Sequence, residues 1–327
     1  MKKTGFFILL VLVFFSACKK DDIIPKSSIV DNLDNFHIKA LCYDASNTLW
    51  IASDSGLYKA VADGYQIIEL GVINSVTALA YEPSINTLWV GTSQGIYQLK
   101  LGEADTIATA IAADLLSNNS IFSAISDENN QRWFGTEVGF TRSSGDVWQK
   151  EKFKMNASGA VIDMDFQDYS INSIGTWDGD FYFATAGNKL WRMFDWKTSV
   201  DAFTGATMWD QPYNGFAIAD TMYAVFIDSK GQQWFGGKEG VQVHSGHDPK
   251  SDNSFFYDEL VNPVVHCIAE DENGNIWVGT EDGISIFDGE TWSVSNGALS
   301  NTFITAITFK DKKAWIGTKK GLFEVNY

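Results

Sequence analysis

Two stretches of this 327-residue chain gather side chains suited to holding a sugar. MNASGAVIDMDFQDYS, residues 155 to 170, carries Asp163, Asp165, Asp168 and Tyr169, and GATMWDQPYNGFAIAD, residues 205 to 220, carries Trp209, Asp210, Tyr213 and Phe216. Flat aromatic faces stack on the C–H faces of sugar rings, while carboxylates accept hydrogen bonds from their hydroxyls. Glu137, Glu239, Glu281 and Asp282 add carboxylates in short turns, where each is as easily a solvated turn residue. The three aspartates also offer oxygen ligands to calcium, but their spacing lacks the glycine and distal glutamate of a defined calcium loop. His244 and His247, in HSGHD, could hold a metal with Asp248, and they read equally as a solvated turn. The run Asp271 to Asn275 imitates part of a calcium loop but falls where a strand connection needs Asn and Gly for its geometry. No metal and no other cofactor is therefore expected. The chain has no Gly-x-Ser-x-Gly elbow, zinc triad or phosphate loop, which leaves carboxylate chemistry as its route to catalysis.

The elements that must position these residues announce themselves by repetition. An aromatic followed two and three residues later by Gly or Ala and then Thr, Ser or Gly recurs as LWIAS at Trp50, LWVGT at Trp89, RWFGT at Trp133, FYFAT at Tyr182, QWFGG at Trp234, IWVGT at Trp277 and AWIGT at Trp315. The spacing runs from 38 to 52 residues, enough for several short strands per copy, which is the signature of propeller blades. Glycine six residues after the aromatic, at Gly56, Gly95, Gly139, Gly240, Gly283 and Gly321, suits a hairpin position with positive φ. A small residue precedes each aromatic by 9 to 11 positions: Ala40, Ala78, Ala124, Ser173, Ala224, Cys267 and Ala306. Innermost strands converging on an axis leave no room for larger side chains there. The tryptophans read as wedges between blades rather than as ligand contacts.

The expected fold is all-β: a seven-bladed β-propeller of four-stranded antiparallel blades. Its last repeat stops after three strands, and residues 26 to 33 can supply the fourth and close the ring, sparing the fold an unpaired edge. In such a fold the connections between blades and the turns between second and third strands emerge together around one mouth. The stretches 155 to 170 and 205 to 220 flank the fourth repeat as expanded connections, and long loops on a rigid scaffold are where binding tends to reside. The fourth repeat has also lost its tryptophan and glycine, and local rule-breaking is expected at functional sites.

The N-terminus reads MKKTGFFILLVLVFFSAC: a basic start, an apolar run too short to span a bilayer, and a small-residue cleavage site. Phe15-Ser16-Ala17-Cys18 resembles a bacterial lipobox with Phe in place of the usual Leu. The resemblance implies a signal peptide at 1–17, lipidation of Cys18, a tether and closing strand at 18–33 and a propeller at 34–327. The following Lys-Lys-Asp-Asp resembles the export signal of surface lipoproteins of Bacteroidetes, which implies an outer-membrane or cell-surface address. With a net charge of −17, nucleic acid is excluded as a partner. Cys42 and Cys267 fall in blades that are not adjacent, so both read as buried small hydrophobes.

The phrase [Leu/Ile]-Trp-[Val/Ile/Phe]-Gly-Thr-x-x-Gly-[Ile/Leu], clearest in LWVGTSQGIY, IWVGTEDGISIF and AWIGTKKGLFEV, resembles the two-component regulator propeller repeats of bacterial extracytoplasmic sensors. The resemblance covers about residues 36 to 327. It implies recognition outside the cytoplasm, of a glycan or an envelope protein partner, with signalling left to another chain because no kinase or membrane span follows the last repeat. FYFATAGNKLWRM is similar, over one repeat, to streptogramin lyases, so a polysaccharide lyase or glycosidase is the enzymatic alternative, and a structural scaffold of an envelope complex a third.

Overall fold

The computed structural model describes residues 27–30, 33–71, 75–102, 108–150, 153–157, 160–164, 170–186, 190–193, 209–210, 221–246, 253–295 and 297–327. It is an all-β propeller of antiparallel four-stranded blades. Six blades each take four consecutive strands, and each begins at Ile38, Val76, Ile121, Ile171, Met222 or Val265. A composite sheet joins the two ends of the chain. Ile304–Lys310, Lys313–Thr318 and Gly321–Asn326 are its first three strands, and Ser27–Ile29 pairs antiparallel with the third, Ser27 opposite Val325 and Ile29 opposite Phe323. First strands of successive blades lie side by side, and so do Ile304–Lys310 and the first strand of blade one. No helix among the described residues is long and apolar enough to cross a membrane.

Each blade uses the repeated phrase as its second strand, and the phrase is buried almost throughout. Trp50, Trp89, Trp133, Trp234 and Trp277 are each no more than 3% exposed. They reach the following blade: Trp89 packs on Phe134 and Trp148, Trp133 on Phe181, Trp234 on Phe287, and Trp277 on Phe309 and Tyr327. The wedge reading of these residues stands. The fourth blade is a regular four-stranded sheet in which buried Tyr182 takes the tryptophan's place and packs on Phe235. Tyr182 thus keeps the wedge contact where the repeat departs from tryptophan.

An acidic residue ahead of the tryptophan, unnoticed in the sequence, fixes the turn between first and second strands. Asp271 accepts the amides of Asn273 and Asn275 through Oδ1 and the indole N–H of Trp277 through Oδ2, at 2.8 to 3.0 Å. Asp44, Asp127 and Asp228 do the same at the same spacings, ending on Trp50, Trp133 and Trp234. One carboxylate thus satisfies two backbone donors and the only polar atom of a buried indole. The supposed calcium-like run at Asp271 is this clamp. At the other end of the second strand the Thr hydroxyl closes the hairpin onto the glycine carbonyl, as Thr92 does on Gly95 and Thr280 on Gly283. Gly95 and Gly283 have φ of 131° and 133°, as the hairpin reading requires.

Every first strand carries a bulge after its opening residue, for instance between Ile38 and Ala40 and between Val265 and Cys267. The residue after the bulge faces the phrase's Gly or Ala across the ladder, which explains the small residues there. In the third blade that residue is Ser123, opposite Gly135, and not Ala124, which pairs with Phe134. Cys42 and Cys267 are free thiols, and burial pushes them up to about 11 and about 12. His244, read as a solvated turn, is instead fully buried in the third strand of blade five; His247 and Asp248 lie outside the described residues.

Between blades two and three, Arg132 makes a buried ion pair with Glu82 at 2.7 Å, and its guanidinium stacks on Trp89, whose indole also donates to Glu82. Replacing one partner leaves a buried charge uncompensated, so Arg132→Met is expected to destabilise by about 3 to 5 kcal/mol. Glu82→Gln in the same chain should restore part of that loss in urea unfolding. Asp271→Ala, which strips the acceptor from four donors, the Asn275 side-chain amide included, is expected to cost about 2 to 4 kcal/mol, read from the same curves.

Candidate functional site

Three positions of each blade meet at one end of the propeller, where first strands begin: the residue just before the strand, the bulge residue, and the turn residue four after the phrase's aromatic. A backbone hydrogen bond holds the turn to the strand entry in blade after blade. Asp54 N–H donates to the His37 carbonyl, Glu137 to Ser120, Lys238 to Thr221, Glu281 to Val264 and Lys319 to Phe303, at 3.0 to 3.3 Å. The bulge residue then reaches the next blade. Lys39 donates to the Ser75 hydroxyl, Thr77 to the Ile121 carbonyl, Asn172 to the Met222 carbonyl and Thr305 to the Ile38 carbonyl. A bulge aims an extra side chain out of the regular alternation, and here it builds the rim of a mouth.

One arc of that rim carries chemistry. Tyr223 of blade five and His266 of blade six stack with ring centroids 4.7 Å apart, and His266 packs in turn on Phe303 of the composite sheet at 4.3 Å. The Lys319 ammonium sits 3.4 Å over the Phe303 ring. Glu281 approaches His266 Nε2 at 3.4 Å. His37, Lys39 and Asp54 of blade one continue the arc, with the His37 amide donating to Asp54. Burial, with Lys319 nearby, lowers the His266 pKa below 6.5 against the opposing pull of Glu281. His37 is lowered by burial and then by Lys39 and Lys319, with Asp54 opposing. Across the mouth the same positions hold Ser75, Thr77, Ser120 and Asn172, and Phe122, which is 40% exposed.

Of the residues expected from sequence, Glu137, Glu239, Glu281 and Asp282 lie in turns between second and third strands, at the mouth. Glu281 joins the His266 cluster, Asp282 accepts from Asn262 at 2.7 Å, and Glu137 and Glu239 are exposed. Asp163 is not in an open loop: Phe153–Ala157 and Ala160–Met164 form a separate two-stranded hairpin, with Asp163 opposite Lys154. Trp209 and Asp210 are likewise not loop residues. They form the fourth strand of blade four, opposite Met193 and Arg192, which completes the four-strand pattern of the other blades. That strand lies near Phe153–Ala157. Asp165, Asp168, Tyr169, Tyr213, Phe216 and Cys18 lie outside the described residues. Sequence reading missed Tyr223, His266, Phe303 and Lys319. The signal for Tyr223 and His266 was their place just before the small residue of a first strand; no such signal marked Phe303 or Lys319. No group of three or more metal-ligating side chains occurs among the described residues.

A cavity of about 690 Å³ opens at the opposite end, between blades five and six, lined by Trp177, Asp228, Lys230, Trp234, Phe256 and Phe287 among others. Asp228 is committed to its turn and to Trp234 there. The rim arc, with its ionisable groups side by side, is the stronger candidate.

The family described as Two component regulator propeller matches residues 259–282, which include the opening of blade six and His266. A search of curated proteins finds no match. Among solved structures, the extracellular domain of BT3049, a protein classed as a hybrid two component system from B. thetaiotaomicron, is 20% identical with a TM-score of 0.73. The alignment covers 92% of this chain and 41% of that one, so the chain spans well under half of that relative's length. The extracellular domain of BT4673, classed as a one component system from the same organism, is 16% identical with a TM-score of 0.54, over 90% of this chain and 51% of that one. A catalytically inactive virginiamycin B lyase from Staphylococcus aureus, solved with quinupristin, is 11% identical with a TM-score of 0.69, over 92% of this chain and 98% of that one. At these identities the likeness is one of fold. The chain is a propeller similar to the extracellular domains of regulator proteins, and an enzyme shares its architecture.

A histidine whose folded pKa lies below its unfolded value of 6.5 contributes stability that is full above that pH and declines as the pH falls toward the folded value. Imidazole NMR should therefore show His266 titrating below 6.5. Lys319→Gln should raise its midpoint and Glu281→Gln should lower it further; a midpoint at or above 6.5 in the parent protein would contradict the packing described.

Proposed function

We propose that this protein is an extracytoplasmic recognition propeller that binds a glycan across the mouth, held to a membrane through lipidated Cys18. The observation carrying the reading is the row Tyr223, His266 and Phe303, whose rings pack at 4.7 and 4.3 Å beside Glu281 and Lys319. Half-buried rings next to hydrogen-bonding charges suit the amphipathic surface of a sugar. The fold's similarity to regulator extracellular domains supports a sensing context, with the signal passed to a partner. We read the composite sheet as the seventh blade of a closed ring. The contacts from Thr305 and Gly317 to Ile38 support this, since they reproduce those of Thr77 and Gly91 to Ile121.

The His266–Glu281 pair also favours a second reading, a polysaccharide lyase or glycosidase, since an imidazole beside a carboxylate is equipped for proton transfer. Calorimetric titration of the full chain in detergent against an oligosaccharide panel, with product analysis, separates the readings. Binding without turnover is expected. The double substitution Tyr223→Ala and Phe303→Ala is expected to reduce affinity at least tenfold while leaving the circular dichroism unchanged. Turnover lost in His266→Ala would establish the enzyme instead. Absence of binding to any sugar, with one envelope protein recovered by crosslinking, would favour a protein partner or a scaffold.

A further inference from the structure

The chain has 24 Lys and Arg against 41 Asp and Glu, so ammonium groups without an ion pair stand out. The rim arc from blade six through the composite sheet to blade one carries two, beside the carboxylates Asp54, Glu281 and Asp282. Lys39 and Lys319 form no ion pair among the described residues: the Lys39 ammonium donates to the Ser75 hydroxyl at 2.9 Å, and that of Lys319 rests on the Phe303 ring. Two histidines lie within their field: Lys319 acts on both His37 and His266, and Lys39 acts on His37. The neighbouring carboxylates are engaged elsewhere or shared. Asp54 accepts the His37 amide and Asp282 accepts from Asn262, while Glu281 faces His266.

Asp54 and Glu281 offset part of this charge, but neither ammonium is paired with a carboxylate, so each is left to pair with an external anion. Beside them lies a platform of three packed rings. A cation held over an aromatic face is fixed in place by the ring's quadrupole, so Lys319 is oriented at the edge of the platform. A ligand satisfying both features has a sugar face to lay on the rings and a negative group at its edge.

We propose that the mouth is specific for an anionic glycan, a sugar bearing a carboxylate or a sulfate, with the negative group received by Lys319 and Lys39. This inference rests on the glycan reading above and narrows it. The acidic remainder of the protein repels polyanions at long range, so selectivity comes from this local match and not from bulk charge.

The test is calorimetric titration of the full chain in detergent with three probes: tri-galacturonic acid, its methyl ester, and a sulfated galacto-oligosaccharide of similar length. The acid or the sulfated probe is expected to bind at least tenfold more tightly than the ester, and the stronger of the two identifies the anion. Lys319→Gln and Lys39→Gln, both surface changes, should each reduce that preference severalfold while leaving the thermal midpoint unchanged. Equal binding of acid and ester, or an anion preference unaltered in the double Lys→Gln variant, would overturn the inference and leave the glycan reading standing. Binding to none of these probes or of a wider set of neutral and acidic oligosaccharides would overturn both.

Discussion

The spacing between blades rests on one steric constraint. The glycine of the repeated phrase lies against the branched residue that opens the next first strand, and a Cβ at Gly91 would come within 2.6 Å of Ile121. Gly279 meets Ile304 and Gly317 meets Ile38 at 2.7 Å in the same way, and Gly135 and Gly236 crowd Ile171 and Val265. Here glycine is required for close approach and not for a special backbone angle. Because interiors pack at crystal-like density, this contact brings successive first strands near enough for bulge residues of one blade to touch the next. The Tyr223, His266 and Phe303 row exists only because blades five, six and the composite sheet are held at that distance.

Two kinds of interaction then divide the blade by its ends. At the end away from the mouth, carboxylates are consumed internally: Asp44, Asp127, Asp228 and Asp271 each spend both oxygens on their turn and its tryptophan. At the mouth, the equivalent hairpins are closed by Thr hydroxyls and backbone bonds, which leaves side chains such as Glu281 and Lys319 without a structural duty. Acidic residues in this chain therefore have opposite meanings according to position, structural at one end and available at the other. The buried pair of Arg132 and Glu82 departs from this pattern, with the carboxylate that holds the Trp89 indole also pairing a guanidinium of the next blade.

Periodicity made the fold legible. The phrase repeats because most blades need the same wedge, the same close-contact small residue and the same positive-φ turn, with Ala52 and Ala184 standing for the glycine in blades one and four and Tyr182 for the tryptophan in blade four. The rim was not legible for a related reason. Rim side chains there sit one per blade at equivalent positions, Lys39, Thr77, Phe122, Asn172, Tyr223, His266 and Thr305, and they follow no common residue type. Only the bulge that presents them repeats, and a bulge leaves no mark in residue type. Reading the stretches around the fourth repeat as loops failed where they contain strands. The two residues Trp209 and Asp210 are too few to show an alternation, yet they complete a sheet.

The pairing of Ser27–Ile29 with the strand Gly321–Asn326 also has a direction. Gly321 follows the Lys319 turn at the mouth, whereas Val325, opposite Ser27, lies toward the far end of the blade. The strand Ser27–Ile29 thus begins at the end of the blade away from the rim. Under the lipid-anchored reading proposed above, the propeller would stand on its clamped, carboxylate-consuming base with the aromatic and cationic rim turned outward, its orientation toward a diffusing polymer set by strand polarity.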